Sequence, residues 1–427
     1  MADSVEPSEI GAPASRRIAP GGLSALVLSS IGWIGAARIV TGVGGVLRYL
    51  IFARLLRPFD FGVFGAASAA ELLLLGLTDL NLSAALVPQE GEIDEFLDTV
   101  WVAGVARAIL VSLALVALAR PFARFFQIGD LYTVFFVYAP FPILSGISSP
   151  AVAARLARDL EFRISLVLNG AEFAAGFIFG VGAMLFWRDW RGLIVSMYAA
   201  QIARTALTYC YYPYRPRFAF DYRCARRLFE FGGWVTARRL ADFISRKLDS
   251  FAIGHFLGPQ VLGQYQFAFR VGQLPTFEVA YTSGLALFPL MRRLDGRRAG
   301  RLILAAAALV VGSGIFYTAV IYRLGPRLIA LTVGPKWLGA LPPLCLLCVS
   351  GTIGGVLAVA AFCLDGLNAP ASSFKISLVS AGVLSLLVVP FTLMFGVRGA
   401  AAAVVISVVV PLPVMVKLLD DARKRIE

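Results

Sequence analysis

Residues 232–265 read GGWVTARRLADFISRKLDSFAIGHFLGPQVLGQY. The run is long enough to cross a bilayer as a helix. Yet it carries Arg238, Arg239, Asp242, Arg246, Lys247 and Asp249. At helical spacing, Arg239, Asp242, Arg246 and Asp249 follow one another at steps of three and four, with Arg238 and Ser245 on the same side. Leu240, Ile244, Leu248 and Phe251 line the opposite side. Charged groups at membrane depth are costly and usually face a partner or a water-filled cavity. The pattern predicts a helix with its charged stripe towards a bundle interior and its apolar back towards lipid.

Outward from this stretch, the same landmarks occur earlier in the chain. Gly32-Trp33 returns as Gly233-Trp234, Arg38 as Arg239, Leu56 as Leu257, Pro58 as Pro259, Gly62 as Gly263 and Pro88 as Pro289, all at one offset of 201 residues. Chance similarity between apolar helices gives neither a fixed offset nor matched Trp, Pro and Gly. An internal repeat follows.

Apolar runs of spanning length recur along nearly the whole chain, with boundaries near 26–52, 62–87, 99–119, 131–150, 164–187, 190–212, 232–257, 263–288, 301–321, 338–364, 375–395 and 397–417. The repeat pairs the first run with the seventh and the second with the eighth. Six spans separate the copies, so both copies cross in the same direction. The expected fold is an all-α polytopic membrane protein of about 12 transmembrane helices, in two parallel six-helix repeats related by an axis along the membrane normal. Its expected parts are an N-terminal tail (1–22), a first half (23–212), a basic linker (213–231), a second half (232–417) and a C-terminal tail (418–427).

Composition agrees. Of 427 residues, 59% are hydrophobic, and the mean hydropathy is +0.78, which leaves too few polar residues for a soluble protein of this length. Strand alternation is absent, which favours helices over a barrel. The net charge of +13 sits in short loops between apolar runs, as membrane topology requires, and does not form a nucleic-acid face. With the N-terminus inside, inner segments hold roughly twice as many Lys and Arg as outer ones, so both termini are expected in the cytoplasm. The linker PYRPRFAFDYRCARRLFEF, basic and aromatic, suits a membrane surface with anionic headgroups.

Catalytic constellations do not emerge. The chain has one histidine, His255, which nearly excludes histidine acid–base chemistry. Cys345 and Cys348 form a CxxC inside an apolar run and read as small buried side chains. No phosphate-binding Gly-rich loop followed by Lys-Ser or Lys-Thr occurs. Neither a cofactor nor a metal is expected. The outer loops, including LRPFDFG, ARPFARFFQIGD, WRDWR and YRLGPR, are too short for a membrane glycosyltransferase or polymerase.

The remaining candidates are ionisable groups within spans: Arg38, Arg107, Arg204, Arg238, Arg239, Arg246 and Arg270 as cations, with Glu71, Asp79, Glu172, Asp242, Asp249 and Glu278 as counter-charges. Guanidinium forks bind phosphate oxygens in pairs. A cationic cavity between two halves is what a transporter of a phosphorylated, lipid-linked solute needs. The bland alternative, pairing among themselves or snorkelling near helix ends, is strongest for Arg107 and Arg204, one each in otherwise apolar helices.

One stretch, ARLLRPFDFGVFGAASAAELLLLGLTDLNLSAALV at 53–87, resembles the first-repeat signature of bacterial polysaccharide flippases. These are the O-antigen and exopolysaccharide translocases of the multidrug/oligosaccharidyl-lipid/polysaccharide exporter superfamily. RDLEFR, RRLFEFGGW, LGPQVLGQY and TSGLALFPLMRRL are similar to later landmarks, so the resemblance covers about 32–295. It implies movement of undecaprenyl-pyrophosphate-linked oligosaccharide across the bacterial inner membrane by alternating access, without enzymatic chemistry. For the drive, a proton or sodium gradient is expected, with Asp242, Asp249 and Glu71 as candidate coupling residues or equally as fixed counter-charges of the arginines, and the expected partners are polysaccharide polymerase and assembly proteins. The family's cationic lumen maps onto Arg38 and Arg239 by the repeat and onto Arg246 and Arg270 by position. Members often have fourteen spans, against twelve here. The rival classes are a drug or metabolite exporter of the same superfamily, a membrane enzyme and a scaffold of polysaccharide assembly.

Overall fold

The computed structural model describes residues 42, 44–78, 94–152, 162–211, 214–219, 221–291, 296–367 and 369–424, with backbone alone at 94–96, 162–163, 222–246, 274, 289–290, 296–297, 370 and 423–424. Regular structure among the described residues is entirely helical. In chain order the helices are α1 (44–55), α2 (Pro58–Thr78), α3 (Asp94–Phe126), α4 (Leu131–Tyr138), α5 (Pro140–Gly146) and α6 (Phe162–Trp187). They continue with α7 (Arg191–Tyr211), α8 (Tyr222–Leu290), α9 (Gly296–Thr332), α10 (Leu341–Gly366), α11 (Pro370–Val409) and α12 (Leu412–Lys424), and a 3-10 turn, Pro335–Ala340, precedes α10.

Two of these helices are really pairs. α8 is broken at Gly258, whose φ of 82° and ψ of 174° lie in a region open to glycine. Pro259 then opens the second arm, where a missing N–H costs nothing. The first repeat turns at the equivalent place, Arg57–Pro58, but without a positive φ, and there Asp60 Oδ2 accepts from the Arg57 N–H at 3.2 Å. α11 is likewise broken at Gly396. Counting arms separately, taking α4–α5 as one bent segment and α12 as the continuation of the second arm of α11, gives twelve helical segments among the described residues, in line with the about twelve transmembrane helices that the sequence predicts. Six described segments are long and apolar enough to cross a membrane on their own account.

Several boundaries differ from expectation. α3 runs on to Phe126 through Pro121, and α9 runs on to Thr332 through Pro326. The predicted loops ARPFARFFQIGD and YRLGPR are therefore largely helical. A proline removes a single intrahelical bond and bends a helix without ending it when neighbours hold the register. With 37 residues, α9 is about 55 Å long at 1.5 Å per residue, well beyond the apolar bilayer core. Part of the predicted linker is also helix, because YRCARRLFEF contains neither Gly nor Pro and α8 starts at Tyr222. The predicted C-terminal tail continues as helix to Lys424. Residues 26–41 of the first predicted span and 79–87 of the second lie outside the described residues.

What stays free of the predicted linker, residues 214–219, is strapped along the start of α3. The Tyr214 hydroxyl donates to Asp98 Oδ1 at 2.5 Å, and the Arg217 N–H donates to the same oxygen at 3.0 Å. The Asp221 N–H donates to Thr99 Oγ1, and the Phe218 ring meets Trp101 edge-on.

Burial divides the molecule by function. The main core joins α1–α4 to α8 and to residues 337–348, with Leu56, Phe61, Phe126, Tyr265, Phe267 and Trp337 among its members. By contrast, only 11% of the apolar window of α9 is buried, and its Leu304, Ile315, Phe316 and Leu331 point outward. A chain that packs polar and aromatic groups inside and shows bare Leu, Ile and Phe outside has lipid as its solvent. It is a multi-pass membrane protein.

Candidate functional site

Between the two halves lies a cavity of about 660 Å³. From the first half, α1 contributes Gly45, Arg48, Tyr49 and Phe52 at steps of three and four, so one helix face lines the space. α2 adds Phe61, Phe64 and Ser68, while α6 and α7 add Glu172, Ser196 and Gln201. From the second half, the first arm of α8 supplies Lys247 and Ser250, and its second arm supplies Gln266, Arg270, Gln273, Phe277 and Glu278. Among the described residues, the charges on this wall are three cations, Arg48, Lys247 and Arg270, and two carboxylates, Glu172 and Glu278.

The cations are not equivalent. Arg48 packs its guanidinium over the Phe173 ring, 5.4 Å from the centroid, a cation–π contact that fixes its direction. Arg270 is exposed to the cavity and makes no ion pair among the described residues. Tyr49 stacks on Phe267 of the second half, with centroids 5.9 Å apart, and meets Phe61 edge-on.

The cavity ends where the two copies of the repeat meet. A Cβ on Gly62 would overlap the carbonyl of Pro259, and a Cβ on Gly263 would overlap the carbonyl of Pro58. These four positions are two repeat-related pairs, so each copy presents the same surface to the other, as in a twofold interface. Only glycine permits such close backbone approach. Trp337, fully buried, seals this end further: its Nε1–H donates to the Ala53 carbonyl at 2.7 Å, and its ring meets Phe61 and Phe267.

Of the residues singled out in sequence, Arg270, Glu172 and Glu278 line the cavity. Arg204 sits beside it and is held by Glu172 Oε2 at 2.7 Å and Asn169 Oδ1 at 3.2 Å. Arg107 lies elsewhere: Nη2 donates to the Leu75 carbonyl at 3.0 Å and Nε to Thr78 Oγ1 at 3.1 Å. It is thus held by a backbone carbonyl and a hydroxyl of α2. Glu71 and Asp249 are buried behind the wall. The Tyr138 hydroxyl donates to Glu71 Oε2 at 2.6 Å. The Tyr265 hydroxyl donates to Asp249 Oδ2 at 2.5 Å, and the Ser250 N–H donates to Oδ1 at 2.7 Å. Asp249 therefore ties the two arms of α8 together. At this end of the charged stripe, Lys247 and Ser250 face the cavity and Asp249 turns away. Arg38 and Asp79 lie outside the described residues, as do the side chains of Arg238, Arg239, Asp242 and Arg246.

Arg48, near the end of the first predicted span, is a wall residue that the sequence reading does not single out. The signal was present: Arg48 stands one repeat before Asp249 and shares a helix face with Gly45 and Phe52. Lys247 and the aromatic lining carried no comparable mark.

Over residues 51–342 the chain matches the family described as polysaccharide biosynthesis protein. It is 26% identical over 332 residues to the succinoglycan biosynthesis transport protein ExoT of Rhizobium meliloti strain 1021, an alignment covering 76% of this chain and 66% of that protein. It is 23% identical over 343 residues to the lipopolysaccharide biosynthesis protein WzxC of Escherichia coli strain K12, covering 77% and 68%. The chain thus spans about two thirds of the length of these relatives. In fold it is similar to the lipid II flippase MurJ in an inward closed conformation, with a TM-score of 0.74, 14% identity and coverage of 91% and 89%. It is also similar to an inward-facing multidrug resistance MATE family transporter of the MOP superfamily, with a TM-score of 0.63, 14% identity and coverage of 89% and 94%. With its cavity enclosed by two repeat-related halves and a family match over well more than half its length, the chain belongs to the polysaccharide biosynthesis protein family.

Proposed function

We propose that this chain is a flippase that carries lipid-linked oligosaccharide, of the undecaprenyl-pyrophosphate type, from the cytoplasmic to the periplasmic leaflet by alternating access. The observation that carries the proposal is the cavity between repeat-related halves, shut at one end and lined by Arg48, Lys247 and Arg270. Two guanidiniums and an ammonium offer charge-assisted hydrogen bonds to a pyrophosphate. Gln201, Gln266 and Gln273, with the faces of Tyr49 and Phe277, offer what a sugar needs. The head group travels through the cavity while the polyprenyl tail stays in lipid.

In this reading Arg38, Arg238, Arg239 and Arg246 extend the cationic wall, and both termini lie in the cytoplasm of a bacterium with the chain in its inner membrane. The drive is a proton or sodium gradient. Its candidate carboxylates are Asp242, Asp249 and Glu71, of which Asp249 and Glu71 already accept hydrogen bonds from tyrosines. Transport of this kind makes and breaks no covalent bond, so no catalytic residue is assigned. Polysaccharide polymerase and assembly proteins are the natural downstream partners.

The test is transfer of undecaprenyl-pyrophosphate-linked oligosaccharide across reconstituted vesicles, read by accessibility of the sugar to an impermeant reagent. Transfer by the parent chain and its loss in Arg48→Ala/Arg270→Ala is the expected result. Unchanged transfer in the double variant, with protein in the membrane at normal level, overturns the cavity assignment.

A further inference from the structure

At the closed end of the cavity the contacts between halves come in repeat-related pairs beyond the proline–glycine interlock. Arg54 in the first half donates from Nη1 to the Leu331 carbonyl at 3.1 Å. His255 stands one repeat on from Arg54, at the same offset of 201 residues that relates Pro58 to Pro259. It hydrogen-bonds through Nδ1 to the Phe125 carbonyl at 2.5 Å. A carbonyl only accepts, so Nδ1 carries the proton. Leu331 is the penultimate residue of α9 and Phe125 the penultimate residue of α3. These are the third helices of their respective halves. Each half thus sends one donor across the interface onto the last turn of the other half's third helix.

Those carbonyls are natural targets. The final carbonyls of a helix have no intrahelical partner and carry the negative end of its dipole. Around each pin the packing is also matched. Trp337 covers Ala53 beside Arg54, and the Phe126 ring covers Gly254, one repeat on from Ala53, where a Cβ would meet the ring. Lys336 Nζ reinforces the first pin by donating to the Arg54 carbonyl at 2.9 Å, and the Phe125 ring reinforces the second by stacking on His255 with centroids 4.5 Å apart.

We infer that Arg54 and His255 are the two pins of a latch that holds this end of the cavity shut, and that they position the halves for transport without touching the substrate. The latch acts across a pseudo-twofold axis, so opening must release both pins together. The pins are chemically unequal: Arg54 is a fixed cation with a five-donor fork, and His255 is an aromatic donor with one N–H engaged. What the opening serves rests on the flippase reading. The latch itself does not, and its test needs neither substrate nor a known membrane orientation.

The experiment places a reporter cysteine at Ser68, a cavity-lining position, in a background without the native cysteines. An impermeant maleimide is then applied to right-side-out and to inside-out vesicles. The parent is expected to label from one membrane face only. Arg54→Ala/His255→Ala is expected to gain labelling from the opposite face by roughly tenfold, equivalent to about 1.4 kcal/mol in the closed-to-open equilibrium. Arg54→Lys/His255→Gln, which keeps a donor at each site, is expected to restore one-sided labelling, which a general packing defect would not do. Equal labelling from both faces in the parent overturns the latch, as does no gain from the opposite face in the double alanine variant. A normal labelling result alongside failed oligosaccharide transfer would leave the latch standing and remove the flippase reading.

Discussion

The two copies of the repeat, α1–α2 and the two arms of α8, share a backbone and differ in almost every side chain that faces the cavity. Where they touch each other, they are alike: Pro58 and Pro259 present carbonyls, and Gly62 and Gly263 receive them. Where they face the cavity, they diverge. Arg48 lines the wall, while its counterpart Asp249 is turned inward to Tyr265. The sharpest difference is on the pseudo-axis itself. There Gly65 meets Gln266, its own counterpart, and any Cβ on Gly65 would collide with the glutamine side chain. Two equivalent positions on a twofold axis cannot both hold a large residue. The interface therefore demands symmetry of the backbone but breaks symmetry of the side chains.

This contrast can be broken in several ways. The largest expected effect is on transport. Arg48→Ala/Arg270→Ala removes one cation from each copy, and at about 1.5–3 kcal/mol for each hydrogen bond to a charged group the transfer rate should fall by roughly a hundredfold or more. Single variants that fall unequally would show which copy binds more of the anion. Next comes the axis. Gly65→Gln alone overpacks a filled site and should cost about 1–3 kcal/mol in a thermal melt. Combining it with Gln266→Gly exchanges the two halves' roles and should recover most of that loss; no recovery would mean that the two positions are not equivalent.

A comparable but smaller loss is expected for Tyr265→Phe, which strips one donor from a carboxylate that is 1% exposed. The expected cost is about 1–3 kcal/mol, at the low end because the Ser250 N–H remains, and it should be read as a drop in melting temperature with the cavity intact. The smallest effect belongs to Arg204→Ala. Arg204 and Glu172 are 40% and 38% exposed, and ion pairs of that kind contribute at most about 1 kcal/mol. A larger fall in stability would show that the cavity is drier than its geometry implies.

Much of this was legible in the sequence, and the limits have physical reasons. The offset linking Gly32-Trp33, Pro58 and Gly62 to their later copies revealed two parallel halves, because tight turns and close approaches demand particular residues. The same offset said nothing about the copies touching, since equivalence is not proximity. The ends of α3 and α9 were misplaced because Pro121 and Pro326 look like stops but act as bends. Arg107, a lone cation in an apolar helix, leaned toward the bland alternative, but its partner could not be named, because that partner is the carbonyl of Leu75 and backbone acceptors leave no trace in a sequence. For Asp249 the helical stripe did not reveal which side faces the cavity, a matter of about 100° of helix rotation per residue; the side chains of Arg239, Asp242 and Arg246 lie outside the described residues.

The strap at 214–219 has a mechanical consequence. Because Tyr214, Arg217 and Asp221 are fastened to the start of α3, a swing of α8 relative to the first half would pivot near its first turn. The first arm of α8, residues 222–257, then works as a lever about 54 Å long. A swing of about 10° at its base would carry the far tip, where His255 sits, through roughly 9 Å at that length. That stroke exceeds the reach of any hydrogen bond, so a small turn at one membrane surface is enough to unmake the closure at the other.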